Sequence, residues 1–164
     1  MKIVYFFDIE PFTIRKVDLS YKNYLHGGGF SGTEGPMIES ANYMANRGHE
    51  VLFTGCSDEP DECKGNLKYS FELKEDMLKE ADVFITFFII LQNPPPWEET
   101  TELYGGKYSY VWDYMSRMKK GAKVIIWVQV HLRADLLMML RDFCENHGLE
   151  LILIHVSNYI KNFQ

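Results

Sequence analysis

Cysteine is scarce in this chain. There are three in 164 residues, Cys56, Cys63 and Cys144, with no Cys-x-x-Cys pair. An odd, dispersed set builds no four-ligand zinc pattern with the scattered histidines, and it reads as reduced thiols. With 12 Gly and 6 Pro, collagen-like and low-complexity classes are excluded, and 15 % aromatic residues excludes disorder. Positive charge is short as well: 17 Lys and Arg against 23 Asp and Glu leave a net charge of −6. A nucleic-acid partner needs clustered cations to neutralise phosphates. The densest group, Arg117, Lys119, Lys120 and Lys123, is short and reads as a solvated helix end. Long apolar runs are missing. The stretch before Asp8 is too short for a signal peptide, and nothing approaches the ~20 residues that span a bilayer. The expectation is a soluble, cytoplasmic protein without a transmembrane segment or a nucleic-acid partner.

What is present is 46 % hydrophobic residues in a length normal for one domain, here residues 1–164. Strand-like runs alternate with helical patterns. Lys2–Phe7, Glu50–Gly55, Asp82–Phe88, Lys123–Gln129 and Leu149–Val156 are apolar runs of strand length, and Leu67–Phe71 is a shorter one. Continuous apolarity predicts strands covered on both faces, as in a parallel sheet between helical layers. Glu34–Arg47 carries Met37, Ile38, Ala41, Met44 and Ala45 on one stripe, with Gly48 placed as a left-handed cap. Lys74–Ala81, Tyr108–Lys120 and Ala134–His147 show the same periodicity, the last two stopping at Gly121 and Gly148. This rhythm predicts an α/β domain, a Rossmann-like, doubly wound, mainly parallel sheet with helices on both faces.

Two excursions break the compact spacing. Asp8–Phe30 holds 23 residues between the first strand and the first helix, where ~2–6 are usual. Gln92–Gly106 follows the fourth strand. Both are predicted to project from the edge of the sheet where open α/β folds bind ligands, framing one cleft. The first ends in His26-Gly27-Gly28-Gly29-Phe30-Ser31-Gly32-Thr33-Glu34. Four glycines in six positions permit positive φ and close backbone approach, and the helix N-terminus behind them presents free N–H groups to an anion. Thr33 is preferred over Ser31 as the N-cap, because Pro36 then falls in the first turn, where no N–H is needed. The alternative is a flexible turn that starts a helix. The spacing is neither the dinucleotide Gly-x-Gly-x-x-Gly placed directly after a strand nor a phosphate loop with Gly-Lys-Ser/Thr.

The run Gly28-Gly29-Phe30-Ser31-Gly32-Thr33-Glu34, a helix ending in Ala45-Asn46-Arg47-Gly48-His49-Glu50-Val51, and a strand ending in Gly55 resemble the N-terminal domain of GT4-like glycosyltransferases, enzymes of the GT-B type with two Rossmann-like halves. Lys123–Gln129 resembles the family's strand ending in Trp and a polar residue, and Val156-Ser157 with Lys161 resembles the segment that leads into the second half. The resemblance covers nearly the whole chain but half of such an enzyme. It implies the acceptor-side half of a retaining, hexosyltransferase-like enzyme that transfers sugar from a nucleotide-sugar to an acceptor glycan or another hydroxyl. The C-terminal donor-binding half is expected in the same or a partner chain, so this chain alone is expected to be inactive. By the resemblance Gly28, Gly29, Ser31 and Gly32, in a loop running on through Thr33 and Glu34, face the donor diphosphate, where N–H donors stabilise the departing charge. No metal or other cofactor is expected, and no Asp-x-Asp occurs.

The family often has a histidine at the end of the fifth strand, near the transferred sugar. Here Gln129 takes that position and His131 lies two residues further on, so either is a candidate catalytic residue. The alternative for His131 is a loop histidine without a role. Trp97, Tyr104 and Trp112, with Glu98, Glu99 and Glu102 nearby, form a candidate acceptor-binding set, because sugars bind to aromatic faces and carboxylates. Against it stands a set of aromatics that only anchors a loop and a helix. Two other functions compete with the transferase. One is a non-catalytic Rossmann-like module binding carbohydrate or nucleotide. The other is a nucleotide-dependent oxidoreductase or methyltransferase, for which the second strand lacks an acidic ribose-binding residue at its end.

Overall fold

The computed structural model describes residues 1–6, 34–54, 65–70, 73, 75–87, 109–128 and 134–155. They form β1 (Lys2–Phe6), α1 (Glu34–Asn46), β2 (Glu50–Thr54), β3 (Leu67–Ser70), α2 (Glu75–Glu80), β4 (Val83–Phe87), α3 (Ser109–Ser116), β5 (Lys123–Val128), α4 (Ala134–His147) and β6 (Glu150–His155). The strands make one sheet in the order β3-β2-β1-β4-β5-β6, and every pairing is parallel. This is the Rossmann-like order, in which the chain winds outward from β1 in one direction and then, from β4, in the other.

Consecutive residues of β1 show that helices cover both faces. Tyr5 points to one side, where its hydroxyl meets Ser40 Oγ of α1 at 2.5 Å. Phe6 points to the other, where its ring meets Tyr114 of α3 edge-on at 5.5 Å. In-register pairing carries this alternation across the sheet, because Tyr5, Ile85, Ile125 and Ile152 are successive partners. All five residues of β4 are buried. Fully buried side chains such as Phe84 and Ile126 each contribute about 1.5–3 kcal/mol through the apolar surface they remove from water.

The helix ends follow from local chemistry. α1 closes in a Schellman motif: Gly48 is at φ +87°, its N–H donates to Ala45 O, and the N–H of His49 donates to Met44 O. α4 repeats the arrangement at Gly148, with Leu149 N–H donating to Cys144 O at 2.8 Å. α1 begins at Glu34, which puts Pro36 in its first turn as the capping argument requires; Thr33 itself lies outside the described residues. α3 is shorter than its periodicity predicts and stops at Ser116 rather than near Gly121. The Ser116 hydroxyl donates to Asp113 O at 2.6 Å, and the N–H groups of Arg117 and Met118 bond three residues back instead of four. A tightened turn therefore replaces the last helical turn.

The expectation that the final apolar run is covered on both faces is not met. β6 is an edge strand that pairs with β5 alone among the described residues, and no position in it is fully buried. β5 alternates, with Val124, Ile126 and Val128 buried while Ile125 and Trp127 are only partly so. α1 packs on β2 and β3 from the side to which Tyr5 points, whereas α4 lies along β6 on the other face, beside Leu151 and Leu153. The Tyr5 face of β5 and β6 therefore has no described helix over it.

Charges at the amino edge of the sheet alternate in space although they are scattered in sequence. From β3 to β6 the charged residues at or next to the strand starts are Lys68, Glu50, Lys2, Asp82, Lys123 and Glu150. Lys68 approaches Glu50 at 4.0 Å, Lys123 pairs with Glu150 at 2.9 Å, Lys2 pairs with Glu80, and Lys119 pairs with Asp82. Three of the four cations grouped in the sequence thus meet carboxylates: Lys119, Lys123 and Arg117, the last pairing to Asp113 at 2.7 Å.

Candidate functional site

The strand order reverses between β1 and β4, so the carboxyl ends of these neighbours, Phe6 and Phe87, mark the switch point of the sheet. Crossovers leave such a pair toward opposite faces, which opens a crevice between them. The segment that follows β1 carries Gly28, Gly29, Ser31, Gly32 and Thr33. The segment that follows β4 carries Trp97 and Tyr104. All seven residues lie outside the described residues, as do Gln129 and His131, which follow Val128, the last residue of β5. Topology nonetheless makes both excursions begin at adjacent strand ends.

Two buried threonines make the floor of this edge rigid. Thr86 Oγ1 donates to Phe6 O at 3.1 Å from β4, and Thr54 Oγ1 donates to Tyr5 O at 3.0 Å from β2. Both side chains are fully buried. A hydroxyl so deep costs free energy unless it is bonded, and here each bond ties a carbonyl at the end of β1 to a flanking strand. Sequence reading passed over both threonines as members of apolar runs. The available signal was a lone hydrogen-bonding residue at or near the end of each run.

Aromatic rings surround the same strand ends. Phe6 stacks on Phe84 with centroids 6.0 Å apart, besides its edge contact to Tyr114. On the opposite face Tyr5 stacks on Phe53 at 5.8 Å, and Phe53 meets Tyr69 at 5.9 Å. Burial raises the Tyr5 hydroxyl pKa above its ordinary value, against the bond from Ser40, so that group stays protonated at neutral pH. Around the ends of β1 and β2 the described side chains are therefore apolar or uncharged.

Of the three aromatic acceptor candidates, Trp112 lies among the described residues. It is 1 % exposed, and its ring meets Phe143 of α4 edge-on with centroids 5.0 Å apart. Its side chain belongs to the α3–α4 interface within the core. Among the described residues the indole N–H finds no acceptor. Glu34 is the first residue of α1. Among the described residues no group of three or more His, Cys, Asp or Glu is arranged to hold a metal ion, and no helix is long and apolar enough to cross a membrane. Compared with known proteins, the chain matches no family model and no curated sequence.

Proposed function

We propose that this chain is the acceptor-side half of a retaining GT-B glycosyltransferase, working on a nucleotide-sugar and an acceptor glycan together with a donor-binding half. The observation that supports it best is the switch point itself. The strand order sets the segment with the glycine-rich run and the segment with Trp97 and Tyr104 at adjacent strand ends, Phe6 and Phe87. A nucleotide-sugar transfer needs two things at one place. Donors must meet the departing diphosphate, and a surface must hold the hydroxyl that attacks. On this reading backbone N–H groups of the run 28–34 serve the first need, and the aromatic and acidic segment serves the second. Gln129 or His131 orients the transferred sugar. Backbone donors of this kind stabilise the charge that develops on the departing diphosphate.

The test is calorimetric. Simple glycan acceptors are titrated into the chain alongside UDP-, GDP- and ADP-sugars, their free diphosphates and a nicotinamide dinucleotide. Glycan binding with little nucleotide affinity, and turnover once a donor-binding half is supplied, supports the transferase reading. Glycan binding without turnover under the same addition favours a non-catalytic carbohydrate-binding module. Tight dinucleotide binding would return the assignment to the oxidoreductase class.

A further inference from the structure

The edge formed by α4 and β6 carries an apolar groove. Between them lies a groove of ≈ 380 Å³, floored by Leu137, Leu149, Leu151 and Leu153 and flanked by Arg141 and Glu145. Beside it Met138 is 60 % exposed, among the most exposed large apolar side chains described. Natural edge strands are usually protected by charge, proline or a bulge. β6 reads Glu-Leu-Ile-Leu-Ile-His, without proline and with its only carboxylate at the start. Among the described residues nothing pairs with the outer edge of β6, and an apolar groove beside such a strand marks an interaction surface.

The charges on the groove say what fits it. Arg141 and Glu145 stand one turn apart on α4, and neither makes an ion pair among the described residues. A partner carrying one sign of charge would satisfy one of them and repel the other. A second copy of this chain, related by a twofold axis crossing α4 near Phe143, satisfies both. Antiparallel packing of the two helices sets Arg141 against Glu145 of the partner subunit, and the symmetry makes the pair twice. The same operation lays Leu137 and Met138 toward the far end of the facing helix, closing both grooves. We infer that the α4–β6 edge is an isologous dimer interface, specified by Arg141 and Glu145 over an apolar floor.

Sedimentation velocity on the full chain across a concentration series tests this. The expected result is reversible dimerisation. Arg141→Glu and Glu145→Arg should each weaken association at least tenfold, because each creates two like-charge contacts. The double variant Arg141→Glu/Glu145→Arg should restore it, because the exchanged charges again face opposite signs. Both positions are exposed, and circular dichroism of each variant establishes that the fold is kept. A chain that stays monomeric throughout, a dimer indifferent to the single variants, or a double variant that fails to recover would each overturn the inference.

Discussion

Thr86 on β4 donates its hydroxyl hydrogen bond to the main-chain oxygen of Phe6, the last residue of β1, across 3.1 Å. That bond closes the gap between the two strands where the sheet reverses direction, with the threonine fully buried. Thr86→Val keeps the shape of the side chain and leaves the Phe6 carbonyl without this partner. The variant should lose about 1–3 kcal/mol, read as a lower urea midpoint at unchanged slope. A loss near zero would mean that the bond does not hold the crevice floor.

Trp112 separates a packing role from a binding one. Trp112→Ala should cost about 3–5 kcal/mol, the range for removing a large buried aromatic. Trp112→Phe should cost much less, because it also removes a buried N–H that has no acceptor among the described residues. Glycan affinity of the Trp112→Phe variant should equal that of the parent. A variant of full stability with lost affinity would move Trp112 into the acceptor site.

Stability should fall on the alkaline side for two buried groups. Burial raises the Tyr5 hydroxyl, and it pushes the Cys144 thiol up to about 11 from 9.0. For groups raised in the folded state, the stabilisation is complete below the unfolded pKa and is lost as pH rises through the folded one. The decline should therefore begin near pH 9 through Cys144 and steepen above pH 10 through Tyr5. Tyr5→Phe should flatten the second part, and native Cys144 should resist thiol reagents near neutrality. Unfolding midpoints against pH check the first expectation and thiol titration the second.

The acid side depends on Asp82. The Lys119 ammonium, then the main-chain N–H of Lys2, hold its carboxyl below the ordinary value of 3.8. A depressed pKa gives stabilisation that is present above the unfolded value and lost as pH falls through the folded one. Asp82→Asn should be less stable than the parent near neutrality and should converge with it at low pH. Parallel curves for the two proteins would contradict this role.

Much of the fold was legible in the sequence because its signals are local. Gly48 and Gly148 announced the two Schellman ends, Pro36 fixed where α1 begins, and the buried stripe of α1 follows its periodicity. Strand order was not legible, since nothing near Lys2 states that Glu50 and Asp82 flank it; the alternating charges appear only once the sheet is assembled. The exposure of β6 was misread for a related reason. An apolar run reports what a strand can bury, whereas its neighbours decide what it does bury. The truncation of α3 turned on one hydroxyl, Ser116, in a window whose periodicity continues past it. Of the site, a common sheet edge for the two excursions was foreseen; the adjacency of β1 and β4 and the bonded threonines Thr54 and Thr86 were not.

The central claim is that ligands meet this chain at the carboxyl ends of β1 and β4 through the glycine-rich run. Amide chemical-shift mapping during titration with an acceptor glycan and with a nucleoside diphosphate tests it, comparing the parent with Gly32→Val/Thr33→Val. The account predicts that shifts concentrate at Phe6 and Phe87 and spare Lys2 and Lys123 at the opposite edge, and that the double variant abolishes the diphosphate response. Shifts centred on the amino edge, or diphosphate binding that survives the double variant, would contradict it.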